Sequence, residues 1–295
     1  LSGGEQQRLR VAQAIAAEGL RLAQEEYIVL TGAAFDGTAD TTPLHEYFGY
    51  AAAADIESMS AVREFLRRSG VAYTDLVELV KTRFINPHQG TLDFLDQIFA
   101  SAALVAPTIY ARLGQIAAGA LNPAADADIT AALVAYNTAH GTSITPAAFG
   151  TWVTAHLAEF RQVVTLFEPD STCDLDTTSL RTMQSIYEAA ATSGITSAQW
   201  SKIHRFTRLW RKLGWSIHET DVMLAALGQS DITATTIERL ESVSLLASAT
   251  KLAPSQLAVA WGAIDTAGKK SLYRKLFLNK AVQQIDPAFE PDAWG

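Results

Sequence analysis

The sequence predicts an all-α protein, built as an irregular stack of αα-hairpins in two helical lobes. Apolar residues recur at three- and four-residue spacing, and alternating strand-like runs are nearly absent. One short phrase also returns: a glycine that can end a helix, an apolar residue, and a Ser or Thr that can cap the next helix. It occurs at 70–74, 194–196 and 214–216, with looser copies at 19–22 and 141–146.

Each helix is placed by its apolar spacing and by capping residues at its start. Thr196 with Gln199, and Ser216 with Glu219, have the spacing of a capping box, and Pro146 suits a first helical position. These signals predict helices over 3–18, 22–31, 60–69, 74–84, 91–104, 108–119, 124–138, 146–167, 178–192, 197–213, 217–227, 234–249, 254–264 and 269–279. No fixed repeat period is visible, which favours an irregular stack over a regular solenoid.

The polar stretch 168–177 is the predicted boundary between the lobes. It separates an N-terminal lobe, residues 1–167, from a C-terminal lobe, residues 178–295, and the length of 295 residues suits two such lobes. A loop is predicted over 32–43. The tail after Asn279 is predicted to lack regular structure.

Composition excludes several classes of function. Apolar residues make up 48% of the chain, which is enough for a packed core, and the net charge of −8 argues against general nucleic-acid binding. The single cysteine can form neither an internal disulfide nor a cysteine-rich zinc site. The sequence shows no signal peptide, and no apolar run long enough to span a bilayer, so no membrane insertion is expected. We interpret Leu1 as the cut end of a longer chain or the start of an engineered one.

Catalytic and metal-binding patterns are missing from the sequence. The six histidines are scattered, and there is no HExxH, no GxSxG elbow and no glycine-rich dinucleotide fingerprint. Asp170, Asp174 and Asp176 lack the glycine and the terminal glutamate of an EF-hand, so they are interpreted as a solvated loop. The acidic neighbour of Cys173 disfavours a thiolate there. The chain is therefore predicted not to be an enzyme, with no catalytic, cofactor-binding or metal-binding residues.

The first eight residues, LSGGEQQR, spell the signature motif of ABC-type ATPases. In those proteins the motif contacts a nucleotide phosphate at the start of a helix. No GxxxxGK[ST] loop accompanies it here, and the expected strand ending in Asp-Glu is missing as well. The favoured interpretation is a helix capped by Ser2 with Glu5, and an ATPase fragment is a remote alternative.

Segment 200–213 is the strongest candidate for an interaction face. On a helical wheel its apolar side comprises Ile203, Phe206, Trp210 and Leu213, and its basic side comprises Arg205, Arg208 and Lys212. Such a helix can lie on a membrane or contact nucleic acid. The favoured interpretation is a core helix whose basic residues pair with acidic residues of the same chain.

Two longer stretches resemble a known family. Residues 64–87 read EFLRRSGVAYTDLVELVKTRFINP, and residues 203–221 read IHRFTRLWRKLGWSIHETD. Both resemble the N-terminal α-helical region of Tc-toxin A components, the group related to the virulence-plasmid A protein. Segments 25–32, 271–279 and 286–289 look like the same family, in the same order.

The resemblance implies a non-catalytic, structural piece of a large secreted insecticidal or virulence toxin subunit. In that family the helical region forms part of a shell around a translocation channel, and full-length chains assemble as pentamers. The implied partners are other segments of the parent chain, with toxin B and C components or a host-surface receptor as further candidates. A helical module that binds a host receptor or another partner through Arg205, Arg208 and Lys212 is the alternative. No cofactor is implied.

Overall fold

The structure, a computed structural model, describes residues 3–100, 106–169, 174–188, 190–266, 271–279 and 281. Within these residues the protein is all-α, as predicted, with one two-stranded antiparallel sheet. The helices are α1 Gly3–Gly19, α2 Gln24–Thr31, α3 Leu44–Tyr47, α4 Val62–Ser69, α5 Tyr73–Leu79, α6 Gln89–Phe99, α7 Ala106–Ala117, α8 Ala127–His140, α9 Pro146–Arg161, α10 Met183–Tyr187, α11 Ser197–Leu213, α12 Ile217–Ala226, α13 Ala234–Thr250, α14 Pro254–Leu257 and α15 Leu272–Phe277. The strands are β1 Val164–Phe167 and β2 Ser179–Thr182, and short 3₁₀ helices span Ala53–Ser60, Pro123–Ala125 and Ala258–Ala260.

The chain divides into two compact units that differ from the predicted lobes. The first unit, called unit 1, joins Leu1–Thr41 with Lys202–Gly295, and the second, called unit 2, is Thr42–Ser201. The predicted boundary at 168–177 falls inside unit 2, between two strands that pair with each other. Its polar composition therefore marks a connection within one unit.

Unit 1 is formed from helices that are distant in sequence. Helix α1 packs along α13, and α12 and α13 both contact α14. Fully buried apolar side chains come from α2, α11, α12 and α13, including Leu30, Phe206, Leu224 and Leu240. Burial of these apolar side chains is the main force that holds the helices together.

Unit 2 has an aromatic-rich core between α6, α7, α8 and α9. Phe149 and Phe160 of α9 are fully buried there, against apolar residues of the other three helices. Trp200 is also fully buried in this unit, with its ring centroid 6.3 Å from Phe65 and 6.4 Å from Phe48. Each of these large rings removes an extensive apolar surface from water.

The small sheet replaces parts of two predicted helices, 146–167 and 178–192. Helix α9 ends at Arg161, and β1 then pairs with β2 in a register that places Val164 opposite Thr182. The segment after Arg161 is rich in β-branched residues, and residues 179–182 alternate between half-buried and buried. Both features favour strands. Each strand is only four residues long, so in the sequence it was read as part of the neighbouring predicted helix.

Turn chemistry agrees with the sequence at some junctions and departs from it at others. Gly214 adopts the left-handed conformation, with φ of 67°, directly after α11, which allows the chain to reverse there. Gly194 is also left-handed, with φ of 72°, but it lies in the loop between α10 and α11. At 19–22 the positive φ belongs to Arg21 and not to Gly19. Thr74 does not cap α5, because the helix begins one residue earlier, after Ala72. Pro146 occupies the first turn of α9, as predicted.

Asn86 fixes the irregular segment between α5 and α6 to the small sheet. Its side chain is buried, and the amide nitrogen Nδ2 donates to the carbonyl oxygens of Val80 and Val164 at 2.6 and 2.7 Å. The amide oxygen Oδ1 accepts from the backbone N–H of Val164 at 2.9 Å. One side chain thus satisfies three main-chain groups that would otherwise be buried without partners.

We expect Asn86→Ala to lower the free energy of unfolding by about 3 kcal/mol, because three buried main-chain groups lose their partner at once. Chemical denaturation followed by circular dichroism measures this change.

Asn122 provides a matched control, since both asparagines precede a proline. Asn122 is exposed, and its side chain accepts only from the backbone N–H of Ala124, as an N-cap of the 3₁₀ turn. Asn122→Ala is expected to cost about 1 kcal/mol or less. Equal costs for the two substitutions would contradict the role assigned to Asn86.

Candidate interaction face on helix α11

Helix α11 carries the basic residues that the sequence singled out. Ile203 and Phe206 are buried on its apolar side, as predicted, and Leu209 is fully buried with them. Trp210 and Leu213, which were expected on the same buried side, are only half-buried. The buried side of α11 therefore includes Leu209, while Trp210 and Leu213 are partly exposed.

Arg205 is largely buried and bonded to its own chain. Its Nε donates to the carbonyl of Leu30 at 2.6 Å, its Nη1 pairs with Asp231 at 2.7 Å, and its Nη2 donates to the carbonyl of Ile232. Only 15% of the side chain is exposed. Burial lowers the pKa of the guanidinium, and the Asp231 carboxylate opposes that effect. Arg205 thus ties the end of α2 and the segment before α13 to α11.

Lys212 forms an ion pair within unit 1. Its Nζ lies 2.7 Å from Oε1 of Glu26 on α2. Burial acts to raise the pKa of Glu26, but hydrogen bonds from Lys212 and from the Ala23 amide outweigh it, so the pKa of Glu26 is lowered. This pair is partly exposed, and such pairs contribute little to stability.

Arg208 contacts a buried histidine one turn earlier on the same helix. Its Nε donates to Nε2 of His204 at 2.8 Å, which assigns a neutral imidazole with its proton on Nδ1. His204 is buried, and burial first, then the charges of Arg208 and Arg205, lowers its pKa to about 4. His204 was not singled out from the sequence, although its i,i+4 spacing to Arg208 within an amphipathic helix is a usable signal.

The three predicted residues therefore do not form a free basic surface. Arg205 points into the unit, Lys212 is paired with Glu26, and Arg208 is bonded to His204. Arg208 and Lys212 keep exposed surface and could still be reached by a partner. The contacts that these three side chains make satisfy polar groups within unit 1.

Other sequence features are found in structural roles. Ser216 and Glu219 form the predicted capping box of α12, and Thr196 and Gln199 make the same reciprocal bonds. Asp174 accepts from the backbone N–H of Asp176, whose carboxylate pairs with Arg63. Ser2, Asp170, Cys173 and the tail after Asn279, except Ala281, lie outside the described residues.

No helix in the described ranges is long and apolar enough to cross a bilayer.

Comparisons with protein-family models, with curated proteins and with solved structures find no match for this chain.

The buried His204 makes the stability of the protein depend on pH. Well above pH 6.5 the imidazole is neutral in the folded and the unfolded chain, so it has no effect on stability there. Between about pH 6.5 and pH 4 the unfolded chain binds a proton that the folded chain does not, and stability falls. We expect this residue alone to remove about 3 kcal/mol near pH 4, measured by chemical denaturation across that range.

The variant His204→Gln should lose this part of the pH dependence, because glutamine can accept the bond from Arg208 without titrating. His140→Gln, at an exposed histidine at the end of α8, is the control and should keep it. If both variants follow the same pH profile as the unmodified chain, His204 is not the responsible group.

Proposed function

We propose that this chain is a non-catalytic structural module of a Tc-type toxin A subunit, contributing to the helical shell around the translocation channel. The proposal rests on the ordered resemblance of residues 25–32, 64–87, 203–221 and 271–279 to that family. One structural observation supports it: the polar residues within the two most distinctive stretches make internal contacts that hold helix ends together.

The stretch 64–87 contains a network centred on Glu64. Its carboxylate accepts from Arg67 and Arg68, and these bonds, Arg67 first, lower the pKa of Glu64 to about 2. Arg68 also donates to the Phe48 carbonyl at 2.8 Å and lies over the Tyr50 ring at 3.8 Å. Arg68 thus connects α4 to the segment after α3.

The stretch 203–221 contains an equivalent arrangement in unit 1. Arg205 bonds two carbonyls and one carboxylate, and the capping box of Ser216 and Glu219 starts α12. Polar side chains that bond to the backbone of their own unit are less available to bind a ligand. These contacts therefore favour a scaffold over a ligand-binding surface. The proposed partners follow from this role: other segments of the same toxin chain, in a secreted assembly that is pentameric in the family.

Charge reversal distinguishes the scaffold from the alternative, a helical module that binds a receptor or another partner. Arg205→Glu is expected to lower the free energy of unfolding by more than about 3 kcal/mol, because it places a carboxylate against two carbonyls and Asp231. Arg208→Glu and Lys212→Glu should each cost less, about 1 kcal/mol, since both side chains keep exposed surface and each loses a single contact. Chemical denaturation of the three single variants measures this order.

The binding alternative predicts a different result for the two exposed residues. If Arg208→Glu with Lys212→Glu keeps the circular dichroism spectrum of the unmodified chain but loses binding to host-cell membranes or to toxin B and C components, the alternative is favoured. A small stability cost for Arg205→Glu would also count against the scaffold.

The toxin assignment itself is tested at the level of the gene and the whole subunit. The reading frame that encodes this chain is expected to encode channel and linker segments in the same polypeptide. Electron cryo-microscopy of that polypeptide should place residues 25–279 in the shell around the channel. A reading frame without channel-forming segments would contradict the proposal.

A further inference from the structure

The charge of the chain is divided unequally between its two units. Unit 2 contains eight basic and sixteen acidic residues, which account for the whole net charge of −8, and unit 1 is neutral. Within unit 1, residues 251–280 contain six basic residues and one acidic residue, Asp265. This segment is therefore strongly basic within an acidic protein.

Five large apolar side chains of the same segment are exposed to solvent. Trp261 is 45% exposed, and the other four are each 37–44% exposed: Leu252, Val259, Leu276 and Phe277. Single exposed apolar side chains are common on soluble proteins, but a group of them within one segment marks a contact surface. Exposed apolar residues and basic residues thus occur together in this part of the chain.

The segment lies along helix α12. Helix α14 packs against α12 and α13, and the 3₁₀ turn Ala258–Ala260 packs against α12. Gly262 approaches the end of α12 so closely that a Cβ on it would lie 3.1 Å from Cα of Ala226. Oδ2 of Asp265 lies 2.9 Å from Nε2 of His218 in the first turn of α12. The segment therefore runs back over the roughly 15 Å length of α12.

Helix α15 is held next to this segment. The backbone N–H of Tyr273 donates to the carbonyl of Asp265 at 2.9 Å. The buried residues of the segment, among them Leu257 and Leu272, face the interior of unit 1, so its exposed residues face away from α12. We call the surface that these exposed residues form the C-terminal face of unit 1: Lys251, Leu252, Trp261, Lys275, Leu276 and Phe277.

The two lysines of this face differ from the basic residues of α11. Lys251 follows the last residue of α13, Lys275 lies in α15, and both side chains are exposed. Neither lysine forms an ion pair with the residues that the structure describes, whereas Arg205 and Lys212 of α11 pair with carboxylates of unit 1. The positive charge of the C-terminal face can therefore attract an anionic partner.

An anionic lipid bilayer matches both properties of this face. Its headgroups attract lysine side chains, and the interfacial layer beneath them takes up tryptophan and aliphatic side chains. An acidic protein or a nucleic acid would match the lysines as well, but only a bilayer offers a continuous apolar layer directly beneath its charges. The combination of charge and apolar exposure favours a lipid surface.

We propose that the C-terminal face of unit 1 binds the surface of membranes that contain anionic lipids. Lys251 and Lys275 contact the headgroups, and Trp261 enters the interfacial layer together with Leu252 and Leu276. The chain lies on the bilayer in this state and does not cross it. The proposal is independent of a role for the chain in a toxin shell.

Co-sedimentation of the whole chain with lipid vesicles tests the charged part of this face. We expect binding to phosphatidylcholine vesicles that contain phosphatidylserine, weak binding to phosphatidylcholine alone, and loss of binding at high salt. Lys251→Glu and Lys275→Glu should each weaken binding by about fivefold or more, since each basic residue near an anionic surface accounts for about that factor. Lys81→Glu, at an exposed lysine of unit 2, makes the same change in charge and should leave binding unchanged.

The apolar part is tested at constant charge. Trp261→Ser should weaken binding to the phosphatidylserine vesicles, because it removes the largest exposed apolar side chain of the face. Val134→Ser, at a position on α8 that is 60% exposed, is the control and should bind as the unmodified chain does. Circular dichroism shows whether each variant is folded.

A second measurement locates the contact with the least disturbance of the fold. Lipids with brominated chains should quench tryptophan fluorescence of the unmodified chain, and Trp261→Phe should lose this quenching while it still binds. Full quenching in Trp261→Phe, equal binding with and without phosphatidylserine, or equal effects of Lys81→Glu and Lys251→Glu would overturn the proposal. Salt-sensitive binding to DNA without binding to vesicles would overturn it as well.

Discussion

Satisfying main-chain hydrogen bonds at helix ends is the constraint on which both units depend. A chain of many short helices leaves several N–H and C=O groups without intrahelical partners at every end. Here buried polar side chains bond to main-chain groups at and between helix ends. Arg205 bonds to the Leu30 carbonyl at the end of α2 and to the Ile232 carbonyl before α13. Asn86 bonds to the Val80 carbonyl after α5 and to both main-chain groups of Val164 in β1. Burial of apolar faces provides most of the favourable free energy, but it does not specify which helix end meets which. The polar side chains add that specificity.

Local features of the fold could be predicted from the sequence because they depend on neighbouring residues. The capping boxes at Thr196 and Ser216 and the left-handed glycines at 194 and 214 each involve fewer than five consecutive positions. Helix α11 was delimited to the residue, since its apolar and basic stripes and its terminal signals all agree. When the apolar pattern and the end signals agree in this way, a helix can be recognised from its sequence without knowledge of what it packs against.

Long-range features could not be predicted in the same way. Asn86 bonds to a residue 78 positions away, and Arg205 to one 175 positions away. The strand β1 is defined by its pairing with β2, and its apolar, β-branched run reads equally well as the end of α9. The sequence grouped Arg205, Arg208 and Lys212 on α11, but it could not show that Arg205 and Lys212 have partners on other segments.

The discontinuity of unit 1 has a consequence for the order in which the protein is made. Helices α1 and α2 leave the ribosome before the roughly 160 residues of unit 2, and their packing partners α11 and α13 follow after them. At about 5–20 residues per second this delay amounts to some tens of seconds or less, far longer than helix formation itself. During that interval Tyr27 and Leu30, which are buried in the finished protein, have no native surface to cover them. Helices α1 and α2 are therefore the part of unit 1 that a chaperone would have to shield longest during synthesis.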